Sequence, residues 1–176
     1  AAASVSAVST GGALQWQRDL TPAGEQTGAN GGGLAYAGGR LYVTTGYGEV
    51  SALDAGSGAV LWSVRVDAPI SGAPTVSDGT VYVVGRNATG WALDAASGKT
   101  RWFVTGASSR SGMQGSAAPV IDGPRVIFPL PSGELVSADR VEGTKVWAAP
   151  VAGNRLGRRL PQSTLRKLFG LVLVVM

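Results

Sequence analysis

The sequence predicts an all-β fold, an open arc of about three similar four-stranded sheets. Asp, Gly and Trp recur at offsets of four residues in Asp54–Gly58–Trp62, Asp94–Gly98–Trp102 and Asp139–Gly143–Trp147. Successive copies begin 40 and then 45 residues apart, the length of one four-stranded unit. The 27 Gly and 9 Pro stand among short Val, Leu, Ile, Tyr and Trp runs, as tight turns between strands require. A sheet this small cannot bury its apolar face alone and needs neighbours on both sides. Function is therefore expected on a surface rather than in a catalytic pocket.

Aligned on Trp, each unit holds four strands. In the first, Gly33–Tyr36 is followed by a Gly38–Gly39 turn, Arg40–Thr44, a turn at Gly46 and Gly48, Glu49–Leu53, the Asp54–Gly58 turn and Ala59–Val64. The second reads Ala73–Val76, Asp78–Gly79, Val81–Val84, Trp91–Leu93, Asp94–Gly98 and Thr100–Val104. The third reads Ala118–Ile121, Asp122–Gly123, Arg125–Phe128, Glu134–Ala138, Asp139–Gly143 and Lys145–Ala149. There Ala-Leu-Asp-Ala decays to Ser137-Ala138-Asp139-Arg140, while Asp, Gly and Trp survive. Upstream, Ala13–Leu20 carries Trp16 and reads as an orphan outer strand of a preceding unit whose Asp and Gly are missing. The expected division is an N-terminal stretch over 1–20, units over 21–70, 71–109 and 110–153, and a tail over 154–176.

The repeated residues read as a stacking device. Asp at a strand end accepts hydrogen bonds from turn amides, and Gly four residues on permits a left-handed or closely packed backbone. Trp offers a broad apolar face and one N–H that needs a partner. Trp91 stands apart, in a strand aligned with Glu49-Val50 and Glu134-Leu135, where it suits a partner contact or simple surface or edge packing. The sequon Asn87-Ala88-Thr89 is expected in a surface loop.

The formal charge of +4 is a property of the tail, whose Arg155, Arg158, Arg159, Arg166 and Lys167 are not balanced by any acid, leaving the other residues at −1. The repeats carry no basic stripe, so no nucleic-acid partner is expected. Cys and His are absent, which excludes disulfides, thiol nucleophiles, Cys/His zinc sites and imidazole bases. The opening AAASVSAVSTGGA has neither a basic start nor an apolar core, so it does not read as a signal peptide, and it looks like an entry point within a longer protein. Leu168–Met176 is apolar but too short to span a bilayer.

The pattern Ala-Leu-Asp-Ala-x-x-Gly-x-x-x-Trp at 52–62 and 92–102 resembles the tryptophan-docking repeat of pyrroloquinoline-quinone (PQQ)-type β-propellers. The stretches Leu41–Val50 and Ala68–Val76 are similar to the BamB family of outer-membrane assembly lipoproteins, over roughly residues 12–153. The resemblance implies an open arc of an eight-bladed ring at the periplasmic face of the outer membrane. It implies no reaction and no cofactor, and a membrane link only through the assembly or a lipid anchor absent from this stretch. It also implies docking on a periplasmic domain of the barrel-forming subunit through an inter-blade loop, matched here by Ser111–Pro119. Ser111, Gly112, Met113, Gln114 and Gly115 are its candidate partner-binding residues, with Met113 at the apolar anchor position. Ser111 replaces an apolar residue of the pattern, and Gln114 stands where relatives can have Arg.

The residues alone also draw attention to this loop. Thr105–Gly115 is longer and richer in Ser and Gly than its counterpart after Trp62, and long irregular connections on rigid scaffolds carry binding surfaces. Met113 suits an adaptable apolar contact, or else caps the inner edge of a sheet. The enzyme alternative is a fragment of a PQQ-dependent dehydrogenase, which would need clustered oxygen ligands for Ca²⁺. Asp54, Asp94 and Asp139 are already accounted for by turns. A sensor or ligand-binding propeller is a third reading. The tail breaks the repeat logic and reads as foreign to the fold, or as a short basic and apolar helix suited to an anionic membrane surface. Open ends on a three-blade arc predict poor stability as a monomer.

Overall fold

The computed structural model describes residues 3–25, 31–70, 72–107 and 117–151. The tail over 154–176 lies outside them. Among the described residues there are fourteen strands and no helix. β1 (Ser4–Val8) and β2 (Leu14–Asp19) pair as a two-stranded sheet. Blade 1 is β3 (Gly32–Ala37), β4 (Arg40–Thr45), β5 (Glu49–Asp54) and β6 (Val60–Arg65); blade 2 is β7 (Thr75–Ser77), β8 (Thr80–Val84), β9 (Thr89–Asp94) and β10 (Thr100–Thr105); blade 3 is β11 (Val120–Asp122), β12 (Arg125–Leu130), β13 (Glu134–Asp139) and β14 (Lys145–Pro150). Each blade is an antiparallel meander in sequence order. In all four sheets the register slips by one residue beside the outer strand, between Ala7 and Val8, Ala52 and Leu53, Thr100 and Trp102, and Ser137 and Ala138.

Several readings of the sequence need correction. The Trp16 strand is not an orphan, because β1 pairs with it in the register that β5 and β6 share. The missing turn residues are also present in altered form. Ser9 N donates to Ala13 O and Gly12 N to Ser9 O, as Asp54 and Gly58 do in blade 1, with Ser in place of Asp and one residue fewer. The inner strands β7 and β11 begin at Thr75 and Val120, two residues later than read, because Pro74 and Pro119 have no N–H to give a ladder.

Alternation along each strand divides its side chains between two junctions. In blade 1, Val50 and Ala52 pack toward blade 2 with Val81, Val83 and Leu93, while Val43 and Leu53 pack back on Leu20, Val5 and Trp16. In blade 2, Tyr82, Val84 and Ala92 face Val126, Phe128 and Val136 of blade 3. Trp91 belongs to the junction between blades 1 and 2, at 7% exposure, beside Val66, Ala68 and Ile70. Counted back from the motif Asp, it aligns with Ser51 and Val136 rather than with Glu49 or Glu134, which places it on an inward position and removes it as a surface contact.

One contact locks every junction. Trp16 Nε1 donates to Ala55 O at 3.2 Å, Trp62 Nε1 to Ala95 O at 3.1 Å, and Trp102 Nε1 to Arg140 O at 3.3 Å. The acceptor is always the residue after the motif Asp of the next blade. Each indole lies against the Gly of that same turn. A Cβ on Gly58, Gly98 or Gly143 would stand 2.5–2.6 Å from the ring atoms of Trp16, Trp62 or Trp102. These glycines also sit at φ of 69°, 74° and 72°, in the left-handed region. Trp62 and Trp102 tilt against Tyr42 and Tyr82, with ring centroids 6.1 and 6.0 Å apart. Trp147 packs on Ile127 and Leu135, and no hydrogen bond from its indole is found among the described residues.

Gly98→Ala is expected to cost about 2–4 kcal/mol, from left-handed strain plus displacement of Trp62. Gly38→Ala, at φ 57° with no atom within 4 Å of its added Cβ, should cost only about 1–2 kcal/mol. Urea unfolding of the two variants measures the difference.

Candidate functional site

The motif aspartates sit at the turns between third and outer strands. Asp54 Oδ1 accepts from Ser57 N at 2.8 Å and Ser57 Oγ at 2.7 Å. Asp94 Oδ1 accepts from Ala96 N, Ser97 N and Ser97 Oγ at 3.1, 2.9 and 2.8 Å, and its Oδ2 meets Arg101 Nη2 at 2.7 Å. Asp139 Oδ1 accepts from Val141 N at 2.8 Å and Glu142 N at 3.0 Å. All three carboxyls are held below the usual carboxylate range. The chief cause is the Ser57 hydroxyl for Asp54, the Arg101 guanidinium for Asp94 and the Glu142 amide for Asp139. Among the described residues no group of three acids converges as a metal site would need.

The decayed copy in blade 3 has a distinct structural role. Arg140 occupies the place of Ala55 and Ala95, and its side chain reaches back to blade 2. Nη1 donates to Gly123 O at 3.1 Å and Nη2 to Ser77 Oγ at 2.8 Å, with Asp78 Oδ2 as a further partner. The Tyr82 hydroxyl and the Asp78 carboxylate hold the guanidinium more firmly protonated, and Arg140 in turn holds Asp78 low.

The connection from blade 2 to blade 3 is the candidate binding element. Val66 and Gly106 are equivalent, each donating its N–H to the left-handed residue of an inner turn, Gly48 or Ala88. From these points the connection runs over residues 66–74 to Pro74 in one case and over 106–119 to Pro119 in the other, five residues longer. The shorter one is packed down, with Ile70 fully buried and bridged to Gly85. The described ends of the longer one are tied to the sheets. Ala107 N donates to Glu134 Oε2 at 2.8 Å, Lys145 Nζ donates to Thr105 O at 2.8 Å, and Thr75 Oγ1 donates to Pro119 O at 2.5 Å. A Cβ on Gly106 would lie 2.2 Å from Leu130 Cδ1 and 2.7 Å from Glu134 Oε2, so a side chain there would displace both. Ser111, Gly112, Met113, Gln114 and Gly115 lie outside the described residues. The stem residues Glu134, Lys145 and Thr75 were not singled out from sequence, because only the fold brings three separate strands to one loop. The sequon residue Asn87 is exposed, and its Oδ1 accepts from Thr89 N at 3.2 Å, an Asx turn.

Sheets packed face to face and locked by an indole on a glycine turn define a tryptophan-docking β-propeller, here an open arc. The chain belongs to the family described as outer membrane protein assembly factor BamB, whose family model matches residues 1–175. It is 30% identical over 117 residues to the outer membrane protein assembly factor BamB of Moranella endobia, covering 66% of this chain and 30% of that protein. It is similar to the crystal structure of BamB from Moraxella catarrhalis, with 25% identity and a TM-score of 0.71 over 87% of this chain and 46% of that one. The chain thus spans about a third to a half of the relatives it matches. A europium-containing methanol dehydrogenase shares the fold alone, at 19% identity and a TM-score of 0.58, over 80% of this chain and 37% of that one.

Two outcomes follow. The motif carboxyls have folded pKa values below their unfolded value of about 3.9, so their stabilisation is fully present above that range. It is lost as pH falls through the depressed folded values. Asp94→Asn should lower the urea midpoint at pH 7, and the gap from the parent should narrow progressively as pH falls below about 4. Arg140→Ala removes charge-assisted bonds between blades 2 and 3. Because Asp78 is largely exposed, at 81%, the loss should be only about 1–2 kcal/mol, read in the same assay.

Proposed function

We propose that this chain is part of a non-enzymatic scaffold in the machinery that assembles outer-membrane β-barrel proteins, at the periplasmic face of the outer membrane. It binds the periplasmic domain of the barrel-forming subunit through the loop between blades 2 and 3. The observation that carries this reading is the longer connection, whose described ends are tied to three strands, against a short and buried counterpart. A rigid base lets a Gly- and Ser-rich loop present Met113 without loosening the sheets beneath it. Membership of an assembly-factor family supports the setting. The same loop chemistry supports a protein partner, since it offers an apolar anchor flanked by polar and small residues.

The dehydrogenase reading is less well supported. A quinone–Ca²⁺ centre needs converging oxygen ligands, whereas Asp54, Asp94 and Asp139 give theirs to turn amides on three separate blades. A spectral change with PQQ and Ca²⁺, together with dye-linked alcohol oxidation, would favour that reading.

Binding of the purified chain to the isolated periplasmic domain of the barrel-forming subunit, measured by calorimetry, tests the proposal. Met113→Asp should weaken it at least about tenfold. Glu134→Ala, which frees the Ala107 stem, should weaken it several-fold with the β-sheet spectrum unchanged. No binding by the parent chain, or full binding by Met113→Asp, would sink the idea.

A further inference from the structure

The same indole lock joins each pair of sheets, so the lock by itself does not say which sheet follows which. The seam between blades 2 and 3 adds a second fit. Gly90 stands four residues before the motif Asp, where blade 1 has Val50 and blade 3 has Leu135. Phe128 stands eleven residues before it, where blade 1 has Val43 and blade 2 has Val83. Val50 and Val83 share the core between blades 1 and 2. Gly90 borders the core that holds Phe128, because it pairs with Val84 and Val104 of that core. A Cβ on Gly90 would lie 2.5–2.8 Å from three atoms of the Phe128 ring. Gly90 lies within β9 and has no left-handed φ, so glycine is needed here for the ring and not for the backbone. Phe128 is fully buried. Its ring centroid is 6.2 Å from that of Tyr82 and 6.0 Å from that of Trp102, edge-on to the docking indole at 88°. Where the seam before it sets two mid-sized residues together, this one sets the smallest residue against one of the largest.

We propose that Gly90 and Phe128 form a steric key that commits blade 3 to the face of blade 2. On the equivalent face of blade 1, Val50 fills the space that the ring needs, and on that of a second blade 3, Leu135 does. The key lies at the seam where the chain itself constrains least. Fully extended, the connection over 106–119 reaches about 45 Å and that over 66–74 about 30 Å, at roughly 3.3 Å per residue, while facing sheets lie about 10 Å apart. The longer connection can thus reach past one sheet, and its length adds little entropic cost to a wrong neighbour. Shape supplies the discrimination that the connection does not, because a mismatched face meets either overlap or a void. Arg140 then ties the seated sheet to Ser77 of blade 2. This inference is independent of the partner-binding reading, because it uses the length of the loop and none of its side chains.

A mutant cycle on the full chain, combined with a distance across the seam, is the test. Gly90→Val and Phe128→Val should each lower the urea midpoint by about 1 M, the first through overlap and the second through a void. The double variant has the valine pairing of the seam between blades 1 and 2, and it should recover at least about half of the summed loss. The chain has no Cys, so Ala96→Cys and Val141→Cys, at exposed and equivalent turn positions of blades 2 and 3, take nitroxide labels alone. Electron–electron resonance on the labelled parent should give one narrow distance. With Gly90→Val and Phe128→Val together, a second distance should appear, within one chain or between two. Additive losses, or a double variant that does not fold, would mean that the two side chains do not fit one another. A folded double variant with the single parent distance would mean that their shape does not choose the neighbour. Any of these results overturns the proposal, and the double variant remains decisive if Phe128→Val alone unfolds.

Discussion

The structure depends on an indole pressed against a glycine turn of the next sheet, with its N–H capped by a backbone carbonyl. A small four-stranded sheet has two apolar faces and too little of its own chain to cover either. The wedge solves this by fixing the angle and distance between neighbours. The glycine is required twice over, because its φ lies in the left-handed region and because the ring occupies the space of its missing Cβ. The aspartate four residues earlier holds the turn in shape with bonds to its amides.

Much of this arrangement was legible in the chain. Asp, Gly and Trp at fixed spacing specify local geometry, and local geometry survives as sequence pattern. The N-terminal hairpin was missed because Ser9 does the work of Asp in a turn one residue shorter, which breaks the spacing while keeping Gly12 four residues before Trp16. Alignment of Trp91 with Glu49 and Glu134 puts it two residues out of step with the motif Asp. The motif Asp fixes the register from the other end, and a slip of one residue reverses the face. The inner strands began late because proline cannot donate to a ladder.

The candidate binding element was legible as length and composition but not as architecture. Nothing in the sequence links Glu134, Lys145 and Thr75 to a loop between Thr105 and Pro119. They meet its described ends only once the two blades are packed against each other. Arg140 shows the reverse case. It looked like decay of the motif, and it is instead a cross-blade clamp whose carbonyl still serves the docking indole.

That carbonyl has a wider consequence. The receiving group at each joint is main chain, contributed by Ala55, Ala95 or Arg140 without regard to side chain. The docking bond itself is therefore generic, and it tolerates substitution at the accepting residue, as the change from Ala55 and Ala95 to Arg140 shows. What distinguishes one seam from the next is the side chains packed around that bond, so units can diverge there while the bond persists.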